Sequence, residues 1–335
     1  MDQKQVQAGL QKFAEELFSL SGEDFRLLEP AELPAPHDNF REQFLLSIQA
    51  NRWFVDEHIR YALKWLAGSM LESVRVLSAM KPVTNPLPVA FWIRPLTPLE
   101  GMGEIIQAAL SGHRCLIKTG VSNRKMYEAI FGMMGNHIPG IAGSLVYVDN
   151  IFPEFSGMIV IGEKEGPVSE SYLSRYPLLR FNYNESAIIS GNESDEELRI
   201  LAEDICIHFG RSARNVKVIK VPRGYDFRSL MEAISTYGWQ INHSVYLNHY
   251  EYQKASMLLG RVPHLDSGHL LLAEKKEYFG RIGVLVYEYV PPGPATDMPA
   301  GSTADGIRQS AQSGRCRNFF SNADAMGCFL EKLKD

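Results

Sequence analysis

The sequence predicts an α/β protein: a helical segment in front, a doubly wound parallel sheet, and a second α/β region behind it. Three observations predict this. Apolar residues recur at helical spacing near the N-terminus, as Val6, Leu10, Phe13 and Leu17 do. Short, nearly continuous apolar runs then alternate with amphipathic helical stretches, the pattern of parallel strands joined by crossover helices. Near residue 186 the alternation starts afresh with new strands and helices.

Taken in order, residues 3–80 read as helix, with Ile59, Leu63 and Leu66 repeating the spacing of the first segment. The proline-rich stretch KPVTNPLP (81–88) ends that layer. VAFWI (89–93), RCLIKT (114–119), SLVYV (144–148) and GMIVIG (157–162) follow as strands buried on both faces. Helical stretches lie between the first three, and Gly112 stands where a helix C′ glycine is expected. In the second region SAIISG (186–191) precedes a helix whose first turn carries Asp195, Glu196 and Glu197, favourable at the positive end of its dipole. The strand NVKVIKVP, further helices over 226–260, the strands HLLLAE and IGVLVYEYV, a Pro/Gly/Ser/Thr loop over 291–306 and a short final helix complete the chain. The expected divisions are 1–85 helical, 86–185 nucleotide-binding, 186–300 catalytic, and 301–335 a tail with its helix.

Composition removes several function classes. The formal net charge of −5, without a basic block, gives no electrostatic footprint for nucleic acid. No run approaches the roughly 18 apolar residues of a membrane span, and the polar, amphipathic start is no secretory signal. A cytoplasmic protein is expected. Cys115, Cys206, Cys316 and Cys328 are far apart, against a disulfide framework or a zinc site. His243, His249, His264 and His269 lack the spacing of metal ligands on a helix, so no metal is expected. Neither a GxSxG elbow nor a Walker lysine occurs.

GMGEII (101–106) has Ile106 where a dinucleotide fingerprint needs its third glycine, and ordinary helix packing is the better reading. Lys118 falls at the C-terminal end of a parallel strand, where it can hold a ribose hydroxyl or phosphate, or stand as a solvated strand-end lysine. Gly162 ends another strand at a turn whose N–H groups can meet a phosphate, although Glu163 and Glu165 would oppose an anion. At HFGRSARNVKVIKVP (208–222) a helix gives way to a polar turn and a strand. Such a junction can present one side chain to a substrate.

Residues 176–227, YPLLRFNYNESAIISGNESDEELRILAEDICIHFGRSARNVKVIKVPRGYDF, resemble the LuxC-type acyl-CoA reductase family, within the aldehyde dehydrogenase superfamily, and especially its short bacterial members. The likeness extends upstream to NRWFVDEHIRYAL and ALSGHRCLIKTGVSN, and downstream to INHSVYLNHYEYQKASMLL and DSGHLLLAEKKEYFGRIGVLVYEY. It implies an aldehyde-dehydrogenase-like fold with a Rossmann-type cofactor domain and a second domain bearing the nucleophile. It also implies NADPH or NADH as cofactor, an acyl-CoA or acyl-carrier thioester as substrate, and an acyl-activating enzyme as partner, and it leaves room for an oligomer. In such reductases a cysteine thiolate takes the acyl group and a hydride from the nicotinamide releases it as aldehyde, with an oxyanion stabilised in each step.

By position, Lys118 resembles the ribose-binding lysine, Gly162 and Glu163 the cofactor turn, and Phe209, Gly210, Arg214 and Asn215 the frame of the nucleophile. Ala213 stands where the cysteine belongs, with Ser212 beside it. RPLTPLEG (94–101) replaces an Ala-Gly-Asn-x-Pro segment, which puts Leu96 near the place of the oxyanion-binding asparagine. Ile161-Gly162-Glu163 replaces a Thr-Gly-Ser-like turn, and the 291–306 loop departs as well. Several functional segments differ together, a pattern of divergence rather than of one engineered substitution. Two expectations follow: a reductase with a substitute nucleophile or direct hydride transfer, or a non-catalytic relative that binds a thioester or a partner enzyme.

Overall fold

The structure is a computed structural model that describes residues 3–22, 35–80, 86–162, 175–181, 186–274, 276–290, 319–320 and 323–333. The chain forms two compact units, one of Met1–Asn182 with Arg317–Asp335, the other of Tyr183–Cys316.

The first unit begins with α1 (Gln3–Ser21), α2 (Ala35–Ala50) and α3 (Asp56–Ala79). The spacing seen in the sequence is the packing stripe: Leu10, Phe13, Ala14, Leu17 and Leu20 of α1 are buried, and α1 packs on α3. Strands β1 (Pro88–Ile93), β2 (Arg114–Lys118), β3 (Leu145–Tyr147), β4 (Gly157–Ile161) and β5 (Leu178–Arg180) alternate with α4 (Met102–Leu110) and α5 (Val121–His137). They pair in the order β3-β2-β1-β4-β5, and every pairing is parallel. This is the nucleotide-binding strand order, which reverses direction between β1 and β4. Gly112 takes φ +83°, as the residue after a helix end requires. The final helix α9 (Ala323–Lys332) returns to this unit and packs on α4.

One expectation needs correcting. The residues of β4 are all buried, but Leu145, Val146 and Tyr147 are only half buried, because β3 is an edge strand. Its apolar composition matches that of the central strands, so composition alone misplaces it. Strand β5 gave no separate signal.

In the second unit β6 (Ser186–Ile188), β7 (Val218–Pro222), β10 (Val284–Val290), β9 (Leu271–Ala273) and β8 (His264–Asp266) pair in that order. All pairings are parallel except β8 with β9. Helices α6 (Asp195–Cys206) and α7 (Arg228–Ser235) bury Leu198, Leu201, Ile205, Leu230 and Ile234 against Ile219, Val221 and Leu285. Ser194 and Glu197 form a reciprocal capping box at the start of α6, in addition to the dipole effect of its acidic first turn. Helix α8 (Ser244–Leu259) is anchored to the antiparallel edge: Tyr250 Oη donates to Asp266 Oδ1 at 2.6 Å, and Lys254 Nζ lies 2.8 Å from Asp266 Oδ2. The 291–306 loop, singled out in the sequence, lies outside the described residues. Among the described residues no helix is long and apolar enough to cross a membrane.

Candidate functional site

In the first unit the strand order reverses between β1 and β4, and sheets of this kind take ligands outside the C-terminal ends of the strands at that point. The segment after β1 runs directly over this point. Arg94 N–H donates to Ile161 O at 3.0 Å, and Leu96 N–H to Arg94 O at 2.8 Å. Gly162 has φ +77°, and a Cβ there would stand 3.2 Å from Arg94 O and 3.4 Å from Leu96 Cδ1. The structure therefore brings Leu96 and Gly162 together, and the absence of a Cβ at Gly162 leaves room for the Arg94 carbonyl and the Leu96 side chain. Glu163 lies outside the described residues.

Two residues missed in the sequence fix this segment from α5. Asn123 Nδ2 donates to Thr97 O at 3.1 Å, and Tyr127 Oη donates to Glu100 O. Burial and the Glu100 carboxylate push the Tyr127 phenol well above its ordinary pKa, so it remains a donor. Their only sequence signal is an i, i+4 spacing, shared by any two residues on one helix face.

Lys118 ends β2 beside Trp92, its register partner on β1. Its Nζ donates to Asn150 O at 2.6 Å and lies 4.8 Å from the centre of the Trp92 ring. An ammonium has three donors and the Asn150 contact uses one, so the side chain fits a ribose hydroxyl or a phosphate oxygen. Gly162 lets the chain take the left-handed turn at the C-terminal end of β4, the edge at which such sheets meet a ligand. Among the described residues no group of three or more His, Cys, Asp or Glu side chains could hold a metal ion.

In the second unit α6 ends at Cys206, and a tight turn over 207–210 follows. His208, Phe209 and Gly210 have φ of 54°, 58° and 66°, so three successive residues are left-handed. For His208 and Phe209 this costs about 1–2 kcal/mol each, which the surroundings must over-determine. The Phe209 ring lies 4.7 Å from His243, 5.2 Å from Tyr246 and 6.2 Å from Trp239, centre to centre.

The next turn is stapled by one side chain. Asn215, fully buried, accepts from Ser212 N–H through Oδ1 at 2.6 Å, and its Nδ2 donates to Asp204 O at 2.8 Å and Ile207 O at 3.1 Å. Ser212 is also buried, and its Oγ accepts from Arg214 N–H at 3.1 Å. Ala213 is the half-buried residue between buried neighbours, and its N–H has no hydrogen-bond partner among the described residues. The turn thus offers a backbone donor and a methyl group at the place where a nucleophile was sought. Of the four frame residues, Asn215 shapes the 212–215 turn, Phe209 and Gly210 the left-handed turn before it, and Arg214 is buried beneath.

The substitutes fail on their surroundings. Cys206 is buried, and desolvation pushes its thiol far above the usual range, away from the reactive thiolate. Ser212 Oγ is buried and accepts from Arg214 N–H, and among the described residues no base accepts its proton. His208 is held neutral, its pKa lowered to about 3 by burial and by the Arg211 charge.

That depression has a consequence for stability. With a folded pKa of about 3 and an unfolded one of ~6.5, the unfolded state binds the extra proton as pH falls below that upper value. The contribution of neutral His208 is present above pH ~6.5 and is lost toward pH 3, at up to about 1.4 kcal/mol per pH unit. Denaturant unfolding of wild type and His208→Asn between pH 7 and 5 measures it. Asparagine tolerates the left-handed backbone, so the variant should lose the His208 part of the acid slope.

No protein-family model matches this sequence, and no curated protein does. Solved structures do match. Indole-3-acetaldehyde dehydrogenase in complex with NAD+ superposes with a TM-score of 0.58 at 12% identity, over 93% of this chain and 70% of that one. An NAD-dependent aldehyde dehydrogenase from Sinorhizobium meliloti gives 0.59 at 11% identity, over 87% and 66%. An NAD-dependent benzaldehyde dehydrogenase from Corynebacterium glutamicum gives 0.58 at 9%, over 98% and 79%. The chain has the aldehyde-dehydrogenase fold. At such identities the likeness is one of architecture: within this aldehyde-dehydrogenase fold, the parallel sheet bearing Lys118 and Gly162 is the Rossmann-like sheet, and the sheet beginning at β6 is the second.

Proposed function

We propose that this chain is a LuxC-type relative of the acyl-CoA reductases that binds a nicotinamide cofactor and an acyl thioester but does not reduce the thioester through an acyl-enzyme. The observation that carries this reading is the 211–215 turn: Asn215 and Ser212 pin its main chain, its Ala213 N–H has no partner among the described residues, and its one hydroxyl, Ser212, is buried. Lys118 would hold the cofactor ribose or phosphate, and the turn at Gly162 would lie beside the pyrophosphate. A bound NADPH or NADH would bring a transferable hydride. Ala213 N–H would donate to the thioester carbonyl and orient it. The thioester could arrive on CoA, on an acyl carrier, or from an acyl-activating partner enzyme.

The test follows NADPH and NADH oxidation with medium- and long-chain acyl-CoA for wild type and Ala213→Cys, alongside cofactor titration. Wild type should bind the cofactor and leave it unoxidised. The cysteine variant should acquire an acyl group, seen by intact mass, with turnover at least roughly 10³-fold above wild type. Equal turnover in the two proteins would overturn the reading, and so would the absence of cofactor and acyl-CoA binding in both.

A further inference from the structure

Gln240 lies in the turn before α8 and is 1% exposed. Its Nε2 donates to Cys206 O at 2.6 Å, at the entry to the left-handed turn. Its Oε1 is buried without a hydrogen-bond partner among the described residues. Leaving such an acceptor unsatisfied costs about 1–3 kcal/mol, so the surroundings should supply a donor. The side chain borders a cavity of about 20 Å³, lined also by Cys206, Gly210, Lys217 and Gly283. One water needs about 10–15 Å³ and a few polar partners.

We propose that Gln240 is a positioning residue for the Ala213 turn, bracing it with its amide N–H on Cys206 O and with one buried water at Oε1. Strain at His208 and Phe209 favours relaxation of the turn, and the same short segment opposes it at two points. Gln240 holds the carbonyl where the turn begins, and Trp239, His243 and Tyr246 hold the Phe209 ring at its middle. The inference deepens the reading above and rests on it for what the turn receives; whether the turn is braced can be read without any ligand.

The experiment compares full-length Ala213→Cys with Ala213→Cys/Gln240→Met. Methionine keeps the length and approximate volume of glutamine and removes both hydrogen bonds. Amide hydrogen exchange over 207–213 should accelerate roughly tenfold with exchange in α7 unchanged. Acyl transfer from acyl-CoA to the thiol introduced by Ala213→Cys, followed by intact mass, should slow roughly tenfold at saturation with the half-saturating concentration unchanged. A high-resolution crystal structure should show an ordered water on Gln240 Oε1.

Exchange that accelerates uniformly over the second unit, or not at all, would overturn the brace. Local acceleration with an unaltered acylation rate would overturn the positioning role, and an empty cavity would overturn the water. If neither protein is acylated, the functional reading fails while exchange still decides the brace. Gln240→Glu, with an oxygen in place of the amide nitrogen, is the second variant should the methionine protein not fold, and it should shift both rates in the same direction.

Discussion

Asn215→Ala is expected to destabilise the second unit by about 3–5 kcal/mol. The substitution removes one acceptor and two donors at once from a fully buried position, leaving Ser212 N–H, Asp204 O and Ile207 O without these bonds. Each such loss costs about 1–3 kcal/mol, and the total falls short of a simple sum because the turn can relax. Urea denaturation followed by circular dichroism measures the effect. Asn215→Asp is the informative partner, because it keeps the acceptor for Ser212 N–H and loses the Nδ2 donor. It should fall between alanine and wild type, or below both if the buried charge outweighs the retained bond. A shift under about 1 kcal/mol for alanine would mean that the turn does not depend on Asn215.

Gly103→Ala is the second large effect and strikes the other unit. A Cβ at Gly103 would stand 2.0 Å from Phe319 O and 2.8 Å from its carbonyl carbon, both backbone atoms that no rotamer can move aside. Either α4 shifts or the 319–320 segment lifts. Lifting would endanger the bond from Phe319 N–H to Ser69 Oγ at 3.2 Å and the burial of Phe319 and Phe320. The expected cost is about 3 kcal/mol, read as a lower urea midpoint together with increased limited proteolysis near residue 319. Gly132→Ala is the control: it is a helical glycine with nothing within 4 Å of its added Cβ, and there alanine should be neutral or stabilising by up to about 1 kcal/mol.

The contrast between these glycines bears on what was legible. Gly103 could be assigned to helix packing, because the fingerprint around it lacks its third glycine. The neighbour it packs against comes from the far end of the chain and leaves no mark on local sequence. The strands and helices were readable because their periodicity is repeated over many residues. The edge position of β3 was not, since pairing order is a property of the whole sheet. At the candidate site, resemblance pointed to Phe209, Gly210, Arg214 and Asn215, but not to how Asn215 works, because its partners are main-chain atoms with no sequence identity. Asn123, Tyr127 and Gln240 went unnoticed for a related reason: each contacts the site through a carbonyl, and in sequence they are ordinary polar residues.

The first unit is discontinuous, with residues 317–335 completing what the first 182 begin. Gly157 sits under Leu333 and Phe329, and Gly103 under Phe319. On the ribosome, the helices and the parallel sheet of this unit are synthesised well before the segment that covers them. The second unit, whose residues are contiguous, can close while the first still waits. The nascent chain is therefore expected to carry an uncovered apolar surface on the first unit until residues 319–333 clear the exit tunnel, an interval of exposure to aggregation that the finished protein does not share.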